Sequence, residues 1–245
     1  MKITVITVAY NAASVLERTL QSVLAQRDVD LEYLVLDGGS TDGTVDLLKR
    51  YDNQLSGWTS EPDQGIYDAM NKGVGRATGD VVAFLNADDI YAHDRVLAQV
   101  VAQFANPTVG AVYGDLVYVD AQDRVTRYWQ VRPFSSRFFD QGHAPAHPAF
   151  FVRRELLLQT GGFRTELTLA ADYELMFRVL HIPGFTPRYI PEVLVRMRAG
   201  GASNNGWQSV LRGLREMTLA WHLNSKKAPL ILWLRILHHR FRQRK

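Results

Sequence analysis

The sequence predicts an α/β fold, a mainly parallel sheet with helices on both faces, and three observations predict it. Short β-branched or wholly apolar runs alternate with stretches of helical apolar spacing through the first hundred residues. Each of those runs stops at a cluster of turn-forming polar residues. The composition, 47% hydrophobic and 22% charged over 245 residues, suits one large packed domain or a catalytic domain with an appendage.

The elements follow in order. Ile3 to Ala9 reads as a strand ending at Tyr10-Asn11, and Val15, Leu16, Leu20, Val23 and Leu24 then recur at helical spacing. Leu31 to Leu36 reads as the second strand. It stops at Asp37-Gly38-Gly39-Ser40-Thr41-Asp42-Gly43, turn formers that lead into a helix through Lys49-Arg50. After Trp58 to Glu61 and the turn Pro62-Asp63-Gln64-Gly65 comes a helical stretch carrying Ala69, Met70 and Val74. The strand Val81 to Leu85 ends in Asn86-Ala87-Asp88-Asp89, and a helix runs from Arg95 to Phe104. Ala111 to Val119 is a further strand, and Tyr128 to Ala149 is loop-like, rich in Pro, Phe, His and Ser. Ala149 to Val152 then reads as a strand, Glu155 to Gln159 as a short helix, Gly161-Gly162-Phe163 as a turn and Asp172 to Leu180 as a helix.

Composition excludes several chemistries. With no cysteine there is no disulfide framework, zinc-thiolate site, iron–sulfur cluster or cysteine nucleophile, so a metal must sit on oxygen or histidine. No run of about 18 apolar residues occurs, and the start MKITVITVAYN lacks the pattern of a secretory signal, so a cytoplasmic protein that does not span a membrane is expected. Residues 226 to 245 carry Lys226, Lys227, Arg235, Arg240, Arg242, Arg244 and Lys245 and no acid. Subtracting those seven charges from the formal net of +3 leaves the preceding residues at −4. Within this tail Leu230, Trp233, Leu234, Leu237 and Phe241 form one stripe of a helix from Pro229 to Phe241. That pattern is read as a helix lying on an anionic membrane surface, the alternative being one packed on its own domain or on another subunit. No nucleic-acid module accompanies the basic residues.

In parallel sheets ligands bind beyond the carboxyl ends of the strands, and Tyr10-Asn11, Asp37-Gly38-Gly39 and Asn86 to Asp89 each follow directly on a strand, so three segments converge on one crevice. Asp88 and Asp89 repel one another unless a cation joins them. Mg²⁺ or Mn²⁺ takes carboxylate and phosphate oxygens together, which suits a nucleoside diphosphate. The alternative is a turn in which Asp89 caps the following helix. Asp37, first after its strand, can accept a hydrogen bond from a base or ribose, or can serve with its neighbours as a turn and cap. The absence of G-x-G-x-x-G after the first strand, and of a P-loop anywhere, removes support for a dinucleotide dehydrogenase and a P-loop NTPase.

The ordered series Val8-Ala9-Tyr10-Asn11, Asp37 to Thr44, Asp63-Gln64-Gly65-Ile66-Tyr67-Asp68-Ala69-Met70-Asn71-Lys72-Gly73, Ala77-Thr78-Gly79-Asp80 and Phe84 to Asp89 resembles glycosyltransferase family 2. His147-Pro148, Phe150 to Arg154, Gly161-Gly162-Phe163 and Ala171-Asp172-Tyr173 resemble the branch that builds bacterial exopolysaccharide, colanic acid and O-antigen units. The resemblance spans roughly residues 1 to 203. It implies a GT-A fold, Rossmann-like, with a nucleotide-sugar-binding half (1–125), an acceptor half (126–203) and an appended helical region (204–245). It further implies a UDP- or GDP-sugar donor held by Val8, Tyr10, Asp37, Asp68, Asn71, Lys72, Asn86 and Asp88, with Tyr10 stacked on the base. A divalent cation, Mn²⁺ or Mg²⁺, is implied on Asp89 and Asp88, with Asp89 the principal ligand. Asp172 stands at the position of the catalytic base, though an Asp opening a helix also suits a cap. His147 is implied on the acceptor or diphosphate side, its alternative being a structural loop histidine.

Gly38, Asn86 and Ala171 stand where many members carry acids, which leaves fewer carboxylates around the cation. The sequence thus reads as an inverting, metal-dependent hexosyltransferase acting on a glycan or lipid-linked glycan in bacterial surface polysaccharide biosynthesis, peripheral on the inner membrane face. The alternative is a non-catalytic nucleotide-sugar-binding or partner subunit that keeps the fold. A nucleotidyltransferase would need a Gly-rich basic first loop, where Tyr10-Asn11-Ala12-Ala13 stands. Gly200-Gly201-Ala202-Ser203 reads as a mobile loop over the diphosphate or as a plain connector.

Overall fold

The structure, a computed structural model, describes residues 1–198 and 206–243. The Gly200 to Ser203 segment and the tail residues Arg244 and Lys245 lie outside the described residues.

The first half is built as its alternating pattern requires. Strands β1 (Lys2–Ala9), β2 (Asp30–Asp37), β3 (Gly57–Ser60) and β4 (Val81–Phe84) pair in parallel in the order β3-β2-β1-β4. Helices α1 (Leu16–Leu24), α2 (Thr44–Tyr51) and α3 (Ile66–Arg76) make the crossovers. Alternation along β1 shows why both faces are covered. Ile3 and Val5 face the cluster that takes Leu16, Leu20 and Val23 of α1 and Leu47 and Leu48 of α2. Ile6 and Val8 face the cluster that takes Met70 and Val74 of α3. Gly73 lets α3 lie this close, since a Cβ there would stand 2.7 Å from Ile6 Cγ2.

Beyond β4 the sheet turns mixed. After the two-residue β5 (Ile90–Tyr91) and α4 (Val96–Gln103) comes the wholly buried β6 (Val109–Val119), with β7 (Val125–Trp129) antiparallel to it. Strand β8 (Phe150–Arg153) sits antiparallel between β4 and β6, and β9 (Thr186–Arg198) runs parallel to β6 and antiparallel to β5. The whole sheet reads β3-β2-β1-β4-β8-β6-β9-β5, with β7 off β6. Helices α5 (Arg154–Thr160) and α6 (Ala171–Val179) continue the layer of α3. Helices α7 (Gly206–Leu223) and α8 (Leu232–Arg242) add Ala220, Trp221, Leu232 and Ile236 to the same core.

Three features depart from the sequence expectation. The expected loop from Tyr128 begins as the end of β7. The 13-residue β9 was not foreseen, because Pro187 and Pro191 break its apolar pattern; both lie where the ladder to β6 loses register, so neither missing N–H interrupts regular pairing. Finally, α8 buries Leu232 and Ile236, neither on the expected stripe, and leaves Leu234 and Phe241 exposed, as is Leu230 just ahead of the helix. The tail helix therefore packs on its own domain with one face and keeps an apolar face outward.

Candidate active site

A pocket of about 600 Å³ opens beyond the carboxyl ends of β1 and β4. Of the residues expected in a site, Tyr10, Asn86, Asp88, Asp89, His147 and Asp172 line it. Tyr10 projects from the end of β1 with 68% of its surface exposed, as an aromatic platform must. The Asn86–Asp89 turn is fixed by α1: the Asp88 N–H donates to Thr19 Oγ1 (2.9 Å), and the Thr19 hydroxyl donates to the Asp89 carbonyl (2.9 Å). This bridge holds Asp88 at φ +87°, a left-handed backbone unusual for a side-chain-bearing residue.

The two neighbouring aspartates differ in environment. Asp89 is only 3% exposed, and burial, followed by the adjacent Asp88, pushes its carboxyl up to about 8 against the pull of the Asn86 amide and the Arg198 N–H. Asp88 is less deeply placed. Burial raises it too, opposed by Arg198 and Arg18, and its Oδ1 forms an ion pair with Arg198 Nη1 at 3.4 Å. Asn86 Oδ1 is buried without a hydrogen-bond donor, and Asp88 Oδ1, also buried, has the Arg198 ion pair but no hydrogen bond. Two such oxygens at the pocket floor fit a hard divalent cation whose other positions are taken by phosphate oxygens and water. Among the described residues no group of three acidic or histidine side chains comes together, so a cation here depends on ligand oxygens.

Asp172 lies in the first turn of α6. Its Oδ1 accepts from the Tyr67 hydroxyl (3.3 Å) and from the Tyr173 N–H (2.8 Å). Asp172 thus takes one N–H of the first turn, while Glu216 of α7 ties down the segment just ahead of the helix. Glu216 accepts the Leu169 and Ala170 N–H groups (2.7 and 3.0 Å) and the Thr168 hydroxyl (2.8 Å). His147, 8% exposed, lies in a 3₁₀ turn (His147–Ala149), stacked on Phe84 (5.3 Å) and edge-on to Phe163 (5.6 Å). Burial lowers its pKa, countered by Asp172, and its Nε2 is buried without a partner.

The other expected residues are engaged elsewhere and do not line the pocket. Val8 is in the core. The Asp37 carboxylate is consumed by the Gly39 and Ser40 N–H groups and the Ser40 and Ser60 hydroxyls. Asp68 accepts the Gln64 N–H and pairs with Lys72 at 3.3 Å, while Lys72 also donates to the Pro62 carbonyl. Asn71 spends its amide on Phe163, accepting the N–H (2.8 Å) and donating to the carbonyl (2.9 Å). The last four serve the loops around the pocket.

Two contributors escape sequence reasoning. Tyr67 had a signal, since Tyr67, Met70, Asn71 and Val74 share one helical face. The far wall, where Ile236, His239 and Gln243 of the tail meet Arg127, Trp129 and His143, had none. Gln243 accepts the Tyr128 N–H on its carbonyl (3.1 Å) and the Arg127 guanidinium on its amide, and the Arg235 Nη1 donates to the Asp140 carbonyl (2.6 Å).

The profile of "Glycosyl transferase family 2" matches residues 4–162. An uncharacterised glycosyltransferase of Mycobacterium tuberculosis is 36% identical over 182 residues, 72% of this chain and 68% of the relative. A PGL/p-HBAD biosynthesis glycosyltransferase of Mycobacterium bovis is 33% identical over 198 residues, 79% and 76% of the two chains. Among solved structures, S. aureus TarS in complex with UDP-GlcNAc superposes with a TM-score of 0.71 at 19% identity, over 99% of this chain and 73% of that one. The mannosyltransferase PcManGT from Pyrobaculum calidifontis, in complex with GDP-Man and Mn²⁺, gives 0.68 at 24% identity, over 97% and 68%. The shared property of the two is the fold.

Proposed function

The chain belongs to glycosyltransferase family 2 and has the GT-A fold, and from that premise we propose an inverting hexosyltransferase that moves a sugar from a UDP- or GDP-sugar to a hydroxyl of a lipid-linked glycan. One observation carries the reading: the Asp172 carboxylate, the Asn86 and Asp88 oxygens and the Tyr10 ring line a single pocket. Asp172 takes the proton of the acceptor hydroxyl as that oxygen attacks the anomeric carbon. The bond from that carbon to the diphosphate breaks, and the nucleoside diphosphate leaves with the electron pair. A single displacement of this kind inverts the centre. Tyr10 stacks on the base, and the neutral imidazole of His147 faces the acceptor side.

Asp88 and Asn86 are the residues that would hold Mn²⁺ or Mg²⁺, which when bound neutralises charge on the departing diphosphate. Asp88 is favoured over Asp89 as the principal ligand because Asp89 is the more deeply buried. A donor and a cation of these classes are supported by the ligands bound to TarS and PcManGT. A role in surface polysaccharide or glycolipid biosynthesis is supported by the M. bovis relative. Residues 1–125 handle the donor and 126–203 the acceptor, while α8 and the residue after it close the far wall, and α7 and α8 offer an apolar, basic face to the inner surface of the cell membrane. Among the described residues no helix is long and apolar enough to cross a membrane.

The test is a thermal-shift screen of nucleotide sugars with and without Mn²⁺ or Mg²⁺, followed by assay of slow donor hydrolysis for the best binder. Metal-dependent stabilisation with turnover is expected. Binding without turnover, across a range of acceptors, would favour the non-catalytic subunit.

A further inference from the structure

The stretch Tyr67-Asp68-Ala69-Met70-Asn71 stands out because two of its polar side chains, Tyr67 and Asn71, reach Asp172 and the Phe163 turn. Asn71 is tied by both amide atoms to Phe163. Gly162, before that phenylalanine, has φ +72°, and a Cβ there would run into the Asn71 amide. The turn and α3 are therefore locked together, and a side chain at 162 is excluded twice over, by backbone conformation and by space. Phe163 then forms a platform. Its ring stacks on Tyr67 at 5.5 Å and 24°, and it packs edge-on against Phe84 and His147. Tyr67 stands one helical turn before Asn71, so one face of α3 both makes the lock and carries the ring that the lock supports.

What this arrangement holds is Asp172. The Tyr67 hydroxyl reaches Asp172 Oδ1, and the only other hydrogen bond to this carboxylate among the described residues, from the Tyr173 N–H, falls on the same oxygen; neither uses Oδ2. We propose that Tyr67 is a positioning residue for Asp172: its hydroxyl, clamped through Phe163 and Asn71, fixes the carboxylate so that Oδ2 is the oxygen that receives the acceptor's proton. A carboxylate at a helix start otherwise has two equivalent oxygens and free rotation about its last bond, and only one orientation is productive. Burial and the neighbouring Asp172 both raise the Tyr67 phenol, so it remains a donor across the working range of pH. The role of α3 in this chain thus lies in the acceptor half of the chemistry, although its sequence lies in the donor half.

This inference rests on Asp172 being the base, and the experiment separates the two. Slow hydrolysis of UDP-GlcNAc and GDP-Man is compared for the intact chain, Tyr67→Phe, Asp172→Asn and the double variant. Tyr67→Phe keeps the ring stack and should lower kcat about tenfold with the donor KM within about twofold, while Asp172→Asn should lower kcat about a hundredfold or more. In the Asp172→Asn background the tyrosine change should cost less than about twofold, because its target is gone. Independent losses that multiply would make Tyr67 merely structural and overturn the proposal. An Asp172→Asn variant with normal turnover would overturn the base itself. A readout without donor comes from ¹³C-carboxyl NMR of aspartate-labelled protein: the signal that disappears in Asp172→Asn should move in Tyr67→Phe while the signals of the other aspartates stay. An unmoved signal would show that the hydroxyl does not act on Asp172.

Discussion

Asp88 and Asp89 are one peptide unit apart and both line the pocket, yet Asp89 is almost wholly buried while the Asp88 side chain keeps about a quarter of its surface exposed. Hard-cation ligation needs an ionised, reachable oxygen, and Asp88 meets that condition better than Asp89. Asp88→Asn should therefore weaken Mn²⁺-dependent binding of UDP or GDP by about tenfold or more, with Asp89→Asn close to the parent, as read by calorimetry. The reverse ranking would return the principal role to Asp89. For Tyr10, a stacked base is worth roughly 1–3 kcal/mol, so Tyr10→Ala should weaken nucleoside diphosphate binding about ten- to a hundredfold and Tyr10→Phe should not. A Phe variant as weak as the Ala variant would mean that the hydroxyl is what matters. Residues just past a strand end were legible as site residues because topology alone sends them to the crevice. Asp37, which ends β2, and Asp68, Asn71 and Lys72, which lie on α3, do not line the pocket because their side chains satisfy nearby backbone groups or one another, and such competition depends on loop geometry that spacing does not reveal.

Elements are held in register by polar ties as well as by the core, and the clearest is Glu32 on β2. It accepts from Thr4 Oγ1 of β1 (2.6 Å), from the Thr78 N–H and hydroxyl ahead of β4 (2.7 and 2.6 Å) and from Lys2 Nζ (3.2 Å). Burial alone would raise this carboxyl, but these donors outweigh it and hold it down to about 2. A group whose folded pKa is depressed contributes stability that is present above its unfolded value, near 4.5, and is lost as pH falls towards 2. Acid melts should show the parent losing stability through that window. Glu32→Gln, less stable at pH 7 by roughly 1–3 kcal/mol, should lose correspondingly less on acidification. Equal acid slopes for the two would remove Glu32 from the account. The alternating first half was legible because β1, β2 and β4 are mainly apolar or β-branched runs that stop at turn formers. Strand β9 was not, since its prolines are accommodated by slips in the ladder that exist only in the folded sheet.

At the scale of the whole molecule the tail joins the pocket to the surface. Helix α8 buries Leu232 and Ile236, presses against Gly142 so closely that a Cβ there would lie 2.9 Å from Arg235 Cβ, and tethers to α7 through the Trp233 indole N–H and the Thr218 hydroxyl (2.7 Å). Its outward face shows Leu234 and Phe241, and Leu230 just before it and Leu211 and Leu219 of α7 are exposed as well. Between residues 206 and 243 the sole acid is Glu216, which is occupied at the start of α6, so the exposed charge of this region is basic. Apolar insertion plus attraction of about 1 kcal/mol for each Lys or Arg near the surface should bind anionic vesicles, the second part being screened by salt. The intact chain should therefore co-sediment with anionic vesicles, weakly with neutral ones, and raised salt should release part of it. Two changes to the tail should then diverge. Replacing Leu230, Leu234 and Phe241 together by Asn removes exposed side chains only, so vesicle binding should fall while the melting temperature stays. Ending the chain after Ser225 removes two buried side chains, each worth roughly 2–5 kcal/mol when lost from a core, together with the far wall of the pocket, so melting temperature should fall sharply. A truncated chain as stable as the parent would show that α8 is not part of the core, and an intact chain that ignores anionic vesicles would leave the outward face without a role at the membrane.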